Sequence, residues 1–196
     1  MKKYLTLSIL CITVLFVAHA AHAGTLFRLP FSSNPGYISW YDHNSASGAM
    51  TRYDCGTGYY YDGHNGTDFA SSMGTTVLAG ASGSLYYRLD GCSDSGADQT
   101  CGGSYGNHVR ISHPSDGKVS IYAHLKNGTV VWPQSILCGG SVGQSGNSGY
   151  STGPHMHFEL WQNVNIGSRI DFYGGACGGS SYWVNQNNGW PTTTCQ

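Results

Sequence analysis

Apolar and polar residues alternate in short runs along most of this chain, and no segment sustains a helical apolar period. Val109 and Ile111 alternate with Arg110 and Ser112. Val119, Ile121 and Ala123 alternate in the same way with Ser120, Tyr122 and His124, and both runs predict half-buried strands. His113, Pro114, Ser115, Asp116 and Gly117 between them supply turn chemistry, so residues 107–125 read as an antiparallel hairpin. Residues 75–87, broken at Gly80 and Gly83, read as another strand pair, and 129–132 as a short strand. Alternation is strict again from His155 to Leu160, with His155, His157 and Glu159 on one face and Met156, Phe158 and Leu160 on the other. The predicted class is mainly β.

Around these strands the chain divides unevenly. Lys2 and Lys3 precede an apolar run over residues 5–18, and Ala21 and Ala23 offer small residues before Gly24; residues 1–23 therefore read as a secretory signal peptide cleaved near Ala23. The run falls short of the roughly 20 residues needed to span a bilayer. Residues 24–54 are irregular and turn-rich, 55–173 form the domain expected to carry the chemistry, and 174–196 read as a C-terminal appendage closed by cysteines. A loop of Gly, Ser and Asn over 139–153 leads into the histidine strand. With no internal repeat and no long linker, a single domain is expected, and 13% aromatic residues argue against disorder.

Charge excludes some partners. Without Lys2 and Lys3, seven basic residues face ten acidic ones, a net charge of −3, which suits neither nucleic acid nor a polybasic membrane surface. A monomer with no membrane contact after signal removal is expected. Loss of Cys11 with the signal leaves six cysteines, an even number that in an exported chain implies disulfides. Cys92 with Cys101 would close a small loop and Cys177 with Cys195 a C-terminal one, leaving Cys55 with Cys138.

His64 and Asp68 stand four apart in a Gly- and Asn-containing stretch, and zinc accepts imidazole nitrogen and carboxylate oxygen. A hydrolytic zinc keeps three protein ligands and one open position, so one histidine of the downstream pair would complete the set. His124 closes its strand on the side of Ser120 and Tyr122, as a candidate second catalytic imidazole. His43, His108 and His113 have no usable partner spacing and read as structural. The Asn65-Gly66-Thr67 and Asn127-Gly128-Thr129 triplets fit the glycosylation pattern, but a glycan between two proposed ligands would block them, so both read as chance.

His64-x-x-x-Asp68, Tyr122-Ala123-His124-Leu125 and Ser151-Thr152-Gly153-Pro154-His155-Met156-His157-Phe158-Glu159-Leu160 together resemble the signature blocks of the lysostaphin-type zinc endopeptidases, which cut bacterial cell walls. Linking pieces around Gly74, Asn107 and Gly143 match as well, so the resemblance spans about residues 60–161. It implies a twisted antiparallel sheet with an open, loop-walled groove holding one zinc ion per chain. It also implies His64, Asp68 and His157 as ligands and His155 and His124 as catalytic imidazoles. The 92–101 loop departs from the pattern as an insertion, and residues 162–196 match it poorly, although a cysteine-closed C-terminus is similar to the beta-lytic and staphylolysin branch.

The function so implied is a secreted or periplasmic endopeptidase acting on peptidoglycan cross-links at glycine or small-residue bonds. No His-Glu-x-x-His is present and Glu159 is the sole glutamate, so the proton transfers fall to imidazoles, with Glu159 a candidate to hold a ligand imidazole from behind. Tyr59, Tyr60 and Tyr61 are candidate groove residues. The alternatives are a non-catalytic zinc-binding or amidase-activating wall module, in which one of the five site residues would be expected to be lost, and a zinc amidase that frees the stem peptide from the sugar.

Overall fold

The computed structural model describes residues 24–58, 62–164, 168–187 and 189–196; the expected signal peptide and Tyr59, Tyr60 and Tyr61 lie outside them. Among the described residues there is no helix, hence none long and apolar enough to cross a membrane. The strands are β1 (Tyr37–Ser39), β2 (Thr67–Phe69), β3 (Thr76–Leu78), β4 (Gly83–Leu89), β5 (Asn107–His113) and β6 (Lys118–Leu125). They continue with β7 (Ser135–Ile136), β8 (Ser141–Gln144), β9 (Met156–Trp161), β10 (Arg169–Ile170), β11 (Gln186–Asn187) and β12 (Trp190–Pro191). The main sheet runs β1-β2-β9-β6-β5-β4-β7, with β10 also on β9, and all its pairings are antiparallel. It is the single-domain, mainly β, antiparallel fold expected.

The hairpin of β5 and β6 turns at the expected place, with His113 opposite Lys118. Two local readings change. The runs within 75–87 do not pair with each other: β3 joins β8, and β4 joins β5. They part at Gly80, whose N–H donates to the Tyr122 hydroxyl and where a Cβ would stand 3.1 Å from the Arg28 carbonyl. Residues 129–132 form no strand, although Val131 N–H donates to Val142 O; the short strand is β7.

Neither middle strand is half-buried. One face of the sheet, with Tyr122, Met156, Phe158 and Leu160, meets a core completed by Phe27, Leu29 and Phe31 from the N-terminal segment and by Phe172, Tyr173 and Trp183 from the C-terminal one. Phe158 and Phe172 stack at 4.1 Å. The other face gathers Val119, Ile121, Ala123 and Trp161 against Tyr105. β6 is buried along its whole length. Burying side chains of this size contributes roughly 1.5–3 kcal/mol each, so the flanking segments belong to the core itself.

That weave explains why the disulfide expectations need correction. Cys92 pairs with Cys101, but Cys55 pairs with Cys177 and Cys138 with Cys195, in place of Cys177–Cys195 and Cys55–Cys138. The C-terminal segment returns across the molecule instead of folding on itself. Cys177 and Gly178 N–H both donate to Tyr53 O, which brings residue 177 to residue 55. Further on, Leu29 N–H donates to Thr192 O while Gly139 N–H donates to Ala79 O, which lays residue 195 beside residue 138. Non-reducing peptide mapping should recover these three linkages. Cys55→Ser with Cys177→Ser, opening a bridge between residues 122 apart, should cost about 2–5 kcal/mol in denaturant unfolding.

Candidate metal centre

Three strands bring the site together on the face away from the main core. Asp68 on β2, His157 on β9 and Ala123 on β6 lie in one cross-strand row. His64 reaches the same point because the chain presses against β9 two residues later. A Cβ on Gly66 would lie 2.6 Å from Phe158 O and 2.8 Å from His157 Cε1, closer than real contacts allow. Gly66→Ala should therefore push β2 off β9 and scatter the three groups. The expected result is a metal occupancy reduced at least tenfold in a protein whose circular dichroism remains β-type.

His64 Nε2, Asp68 Oδ1 and His157 Nδ1 converge. Their separations are 3.2 Å between the two imidazole nitrogens, 3.3 Å from His64 to Asp68 and 2.7 Å from His157 to Asp68. Ligand bonds of about 2.0–2.1 Å at tetrahedral angles place donors about 3.3 Å apart, so the set fits a tetrahedral ion with one corner left for another ligand. All three residues are buried, as a site that excludes bulk water requires.

Each imidazole is oriented through its other nitrogen. His64 Nδ1 donates to Trp40 O at 2.7 Å and His124 Nδ1 to Ser148 O at 2.7 Å. His155 Nδ1 donates to Gly153 O at 2.8 Å, and His157 Nε2 meets Glu159 Oε1 at 3.0 Å. The acceptors fix the tautomers, directing His64 Nε2, His157 Nδ1, His124 Nε2 and His155 Nε2 inward. His124 and His155 stand face to tilted face, ring centres 4.6 Å apart, and His155 Nε2 is 3.7 Å from Asp68 Oδ1.

His124 arrives by an irregularity. Strict alternation would send it to the main core with Tyr122. Instead β6 carries one more residue than β5 between the Asn107–Leu125 and Val109–Tyr122 pairs, and His124 takes a left-handed backbone, φ 56°. The bulge turns the ring to the metal face. The Ser148 carbonyl that anchors it is in turn set by close packing of glycines: a Cβ on Gly106 would fall 2.4 Å from Ser148 O, and one on Gly149 would fall 2.3 Å from Gly106 N.

The electrostatics separate the four rings. Burial lowers His157, but its hydrogen bonds to the Asp68 and Glu159 carboxylates outweigh it and carry the imidazole to about 10. Asp68 resists burial in the same way, held well below the usual range by His157 and His64. Burial, reinforced by His155 and His157, lowers His124 to about 3, and burial lowers His155 too. The ligand corner is thus built for positive charge, while the two facing imidazoles stay neutral.

Glu159 is buried, not an exposed strand carboxylate. Tyr105 OH lies at 2.9 and 3.0 Å from its oxygens, Trp161 Nε1 donates at 2.6 Å and Arg169 Nε at 3.1 Å. Behind His157 it is saturated with donors, which leaves it no part as a base. Tyr105 and Arg169 were not singled out in the sequence, since a tyrosine 54 positions from its partner carries no spacing signal. Both line the cleft of about 260 Å³ that opens on His64, His124 and His157. Of the remaining histidines, His113 bonds Ser82 O and Ser120, His108 bonds Gly106 O, and His43 meets Asp171 at 2.9 Å.

Comparison with known proteins identifies relatives of the chain. The sequence model of Peptidase family M23 matches residues 62–170. The chain is 37% identical over 98 residues to the peptidoglycan DD-endopeptidase ShyA of Vibrio cholerae, covering 50% of this chain and 20% of that protein. It is 38% identical over 97 residues to the DD-carboxypeptidase/endopeptidase Mpg of Neisseria meningitidis, covering 49% and 19%. This chain thus spans about a fifth of the length of the curated relatives it matches. The catalytic domain of the prophage-encoded M23 protein EnpA of Enterococcus faecalis superposes with a TM-score of 0.54 at 26% identity, over 76% of this chain and 98% of that one. Lysostaphin of Staphylococcus simulans shares the fold, with a TM-score of 0.52 at 24% identity over 78% and 52%.

Proposed function

The chain belongs to peptidase family M23, and from that premise we propose that it is an exported zinc endopeptidase hydrolysing peptide cross-links of bacterial peptidoglycan. The observation that carries this reading is the convergence of His64, Asp68 and His157 opposite two further imidazoles whose remaining nitrogens face the same point. In it His64 Nε2, Asp68 Oδ1 and His157 Nδ1 would hold one zinc ion, which when bound there would supply Lewis-acid chemistry towards a water and the scissile carbonyl.

The rest is done by the chain's own groups. His155 Nε2 accepts the proton of the attacking water, and its Nδ1, fixed on Gly153 O, keeps the ring in the tautomer that can do so. His124, with its Nδ1 proton held on Ser148 O, presents an unprotonated Nε2 that takes up a second proton from the water-derived oxygen and, once protonated, donates to the developing oxyanion or hands that proton to the leaving amine. Glu159 keeps the His157 Nε2 proton in place. The five site residues are all present, which weighs against a non-catalytic wall module. The cleft offers glycines and an uncharged tyrosine at its rim, including Gly63, Gly103 and Tyr150. These suit a bond with glycine or another small residue on at least one side.

Purified walls with pentaglycine bridges and walls with direct cross-links are to be digested and the released ends labelled. New amino termini are expected. Reducing sugar ends or stem peptides freed from the lactyl group would instead indicate a glycosidase or an amidase.

A further inference from the structure

A second cleft of about 420 Å³, within the usual range of small-ligand sites (about 300–1,000 Å³), adjoins the first. Arg169 lines both. On its far side stand Tyr41, His43, Asp171, Ser180 and Tyr182. No step proposed above uses them.

The walls are fixed in advance. Tyr41 OH donates to Arg169 O at 3.3 Å, its ring lies 5.0 Å from that of His43, and His43 Nε2 meets the Asp171 carboxylate, which is 1% exposed. Asp171 Oδ1 is itself held by Tyr173 N–H. Opposite, Gly175 and Gly179 exchange backbone hydrogen bonds at 3.0 Å, and Cys177 ties that turn to Cys55. Such a cleft needs little ordering when a ligand enters.

Its chemistry selects against charge. Arg169 is committed to Glu159 and to the Tyr105 hydroxyl, and His43 to Asp171. No uncompensated cation remains among its described lining residues to favour a carboxylate or phosphate. What the cleft presents are the Tyr41 and Tyr182 rings, the Ser180 side chain and an imidazole–carboxylate pair. These groups stack on and hydrogen-bond to uncharged polar ligands.

We propose that this second cleft is a binding subsite for the uncharged, amide- and hydroxyl-bearing part of the wall polymer next to the scissile peptide, an inference that rests on the peptidase reading. The polymer offers that chemistry from two sources, peptide backbone and N-acetylated amino sugar.

Calorimetric titration of the full chain with N-acetyl-triglycine amide and with di-N-acetylchitobiose tests the proposal and separates the sources. Saturable binding of one probe is expected, weakened at least tenfold in His43→Ala and in Ser180→Trp, the latter filling the cleft from its exposed rim without touching the core. Absence of saturable binding by both probes, or equal binding by wild type and both variants, would overturn it. Probe binding is read without turnover. A protein that binds a probe in this variant-sensitive way yet releases no wall peptides would leave the subsite standing and remove the peptidase reading.

Discussion

His157→Ala is expected to purify without metal and without measurable wall hydrolysis. Its imidazole is one of three donors, and two are too few to hold a hydrolytic zinc against dissociation. The loss extends beyond coordination. His157 lies between Asp68 at 2.7 Å and Glu159 at 3.0 Å, both carboxylates nearly inaccessible to solvent. Removing the ring takes away the shortest of Asp68's contacts and leaves it His64 at 3.3 Å and His155 at 3.7 Å, and weakening the pairing of a buried charge in this way costs up to about 3–5 kcal/mol. The variant should therefore melt lower than wild type, and added zinc should no longer raise its melting temperature. Metal analysis of the folded fraction decides the point: full zinc retention would remove His157 from the ligand set.

His155→Ala and His124→Ala should keep zinc and lose turnover, by a hundredfold or more in kcat for either one. Their proposed work is proton transfer and charge stabilisation, each commonly worth about 10²–10⁴ in rate. Neither ring is among the three converging donors, so metal content and the zinc-dependent melting shift should match wild type. The comparison with His157→Ala is the informative one, because the three residues lie within one cluster yet should split into metal loss and rate loss. Near-normal hydrolysis by either variant would exclude that residue from the mechanism.

Local pattern and distant pairing were not equally legible. The β5–β6 hairpin and the two faces of β9 follow from alternation, since a period of two is a property of the strand alone. The convergence of β2 with β9 does not. Nothing in residues 64–68 states that Asp68 lies opposite His157; that link came from the family likeness of the three blocks. The partner of β3, the closure of Cys55 on Cys177 and the donor cage of Glu159 are likewise long-range facts, set by how the end segments weave through the core. Proximity in sequence suggested Cys177 with Cys195 because short loops close at low entropy cost. The folded chain instead brings residues 122 and 57 apart together, once hydrogen bonds to Tyr53 and Leu29 have laid the C-terminal segment down. His124 misled in the opposite direction. Alternation gave it a face shared with Tyr122, and the bulge overrode alternation at that one residue.

That bulge sets stability and activity against each other at a single position. A left-handed backbone costs an L-residue roughly 1–2 kcal/mol that glycine does not incur, and a solvent-poor setting further disfavours the ring's charged form. On conformational grounds alone, residue 124 would drift towards glycine or asparagine in any population screened only for thermal resistance. A library selected for heat tolerance and then assayed for wall hydrolysis should contain dead, durable clones altered here. Engineering for robustness should begin elsewhere and keep this histidine fixed.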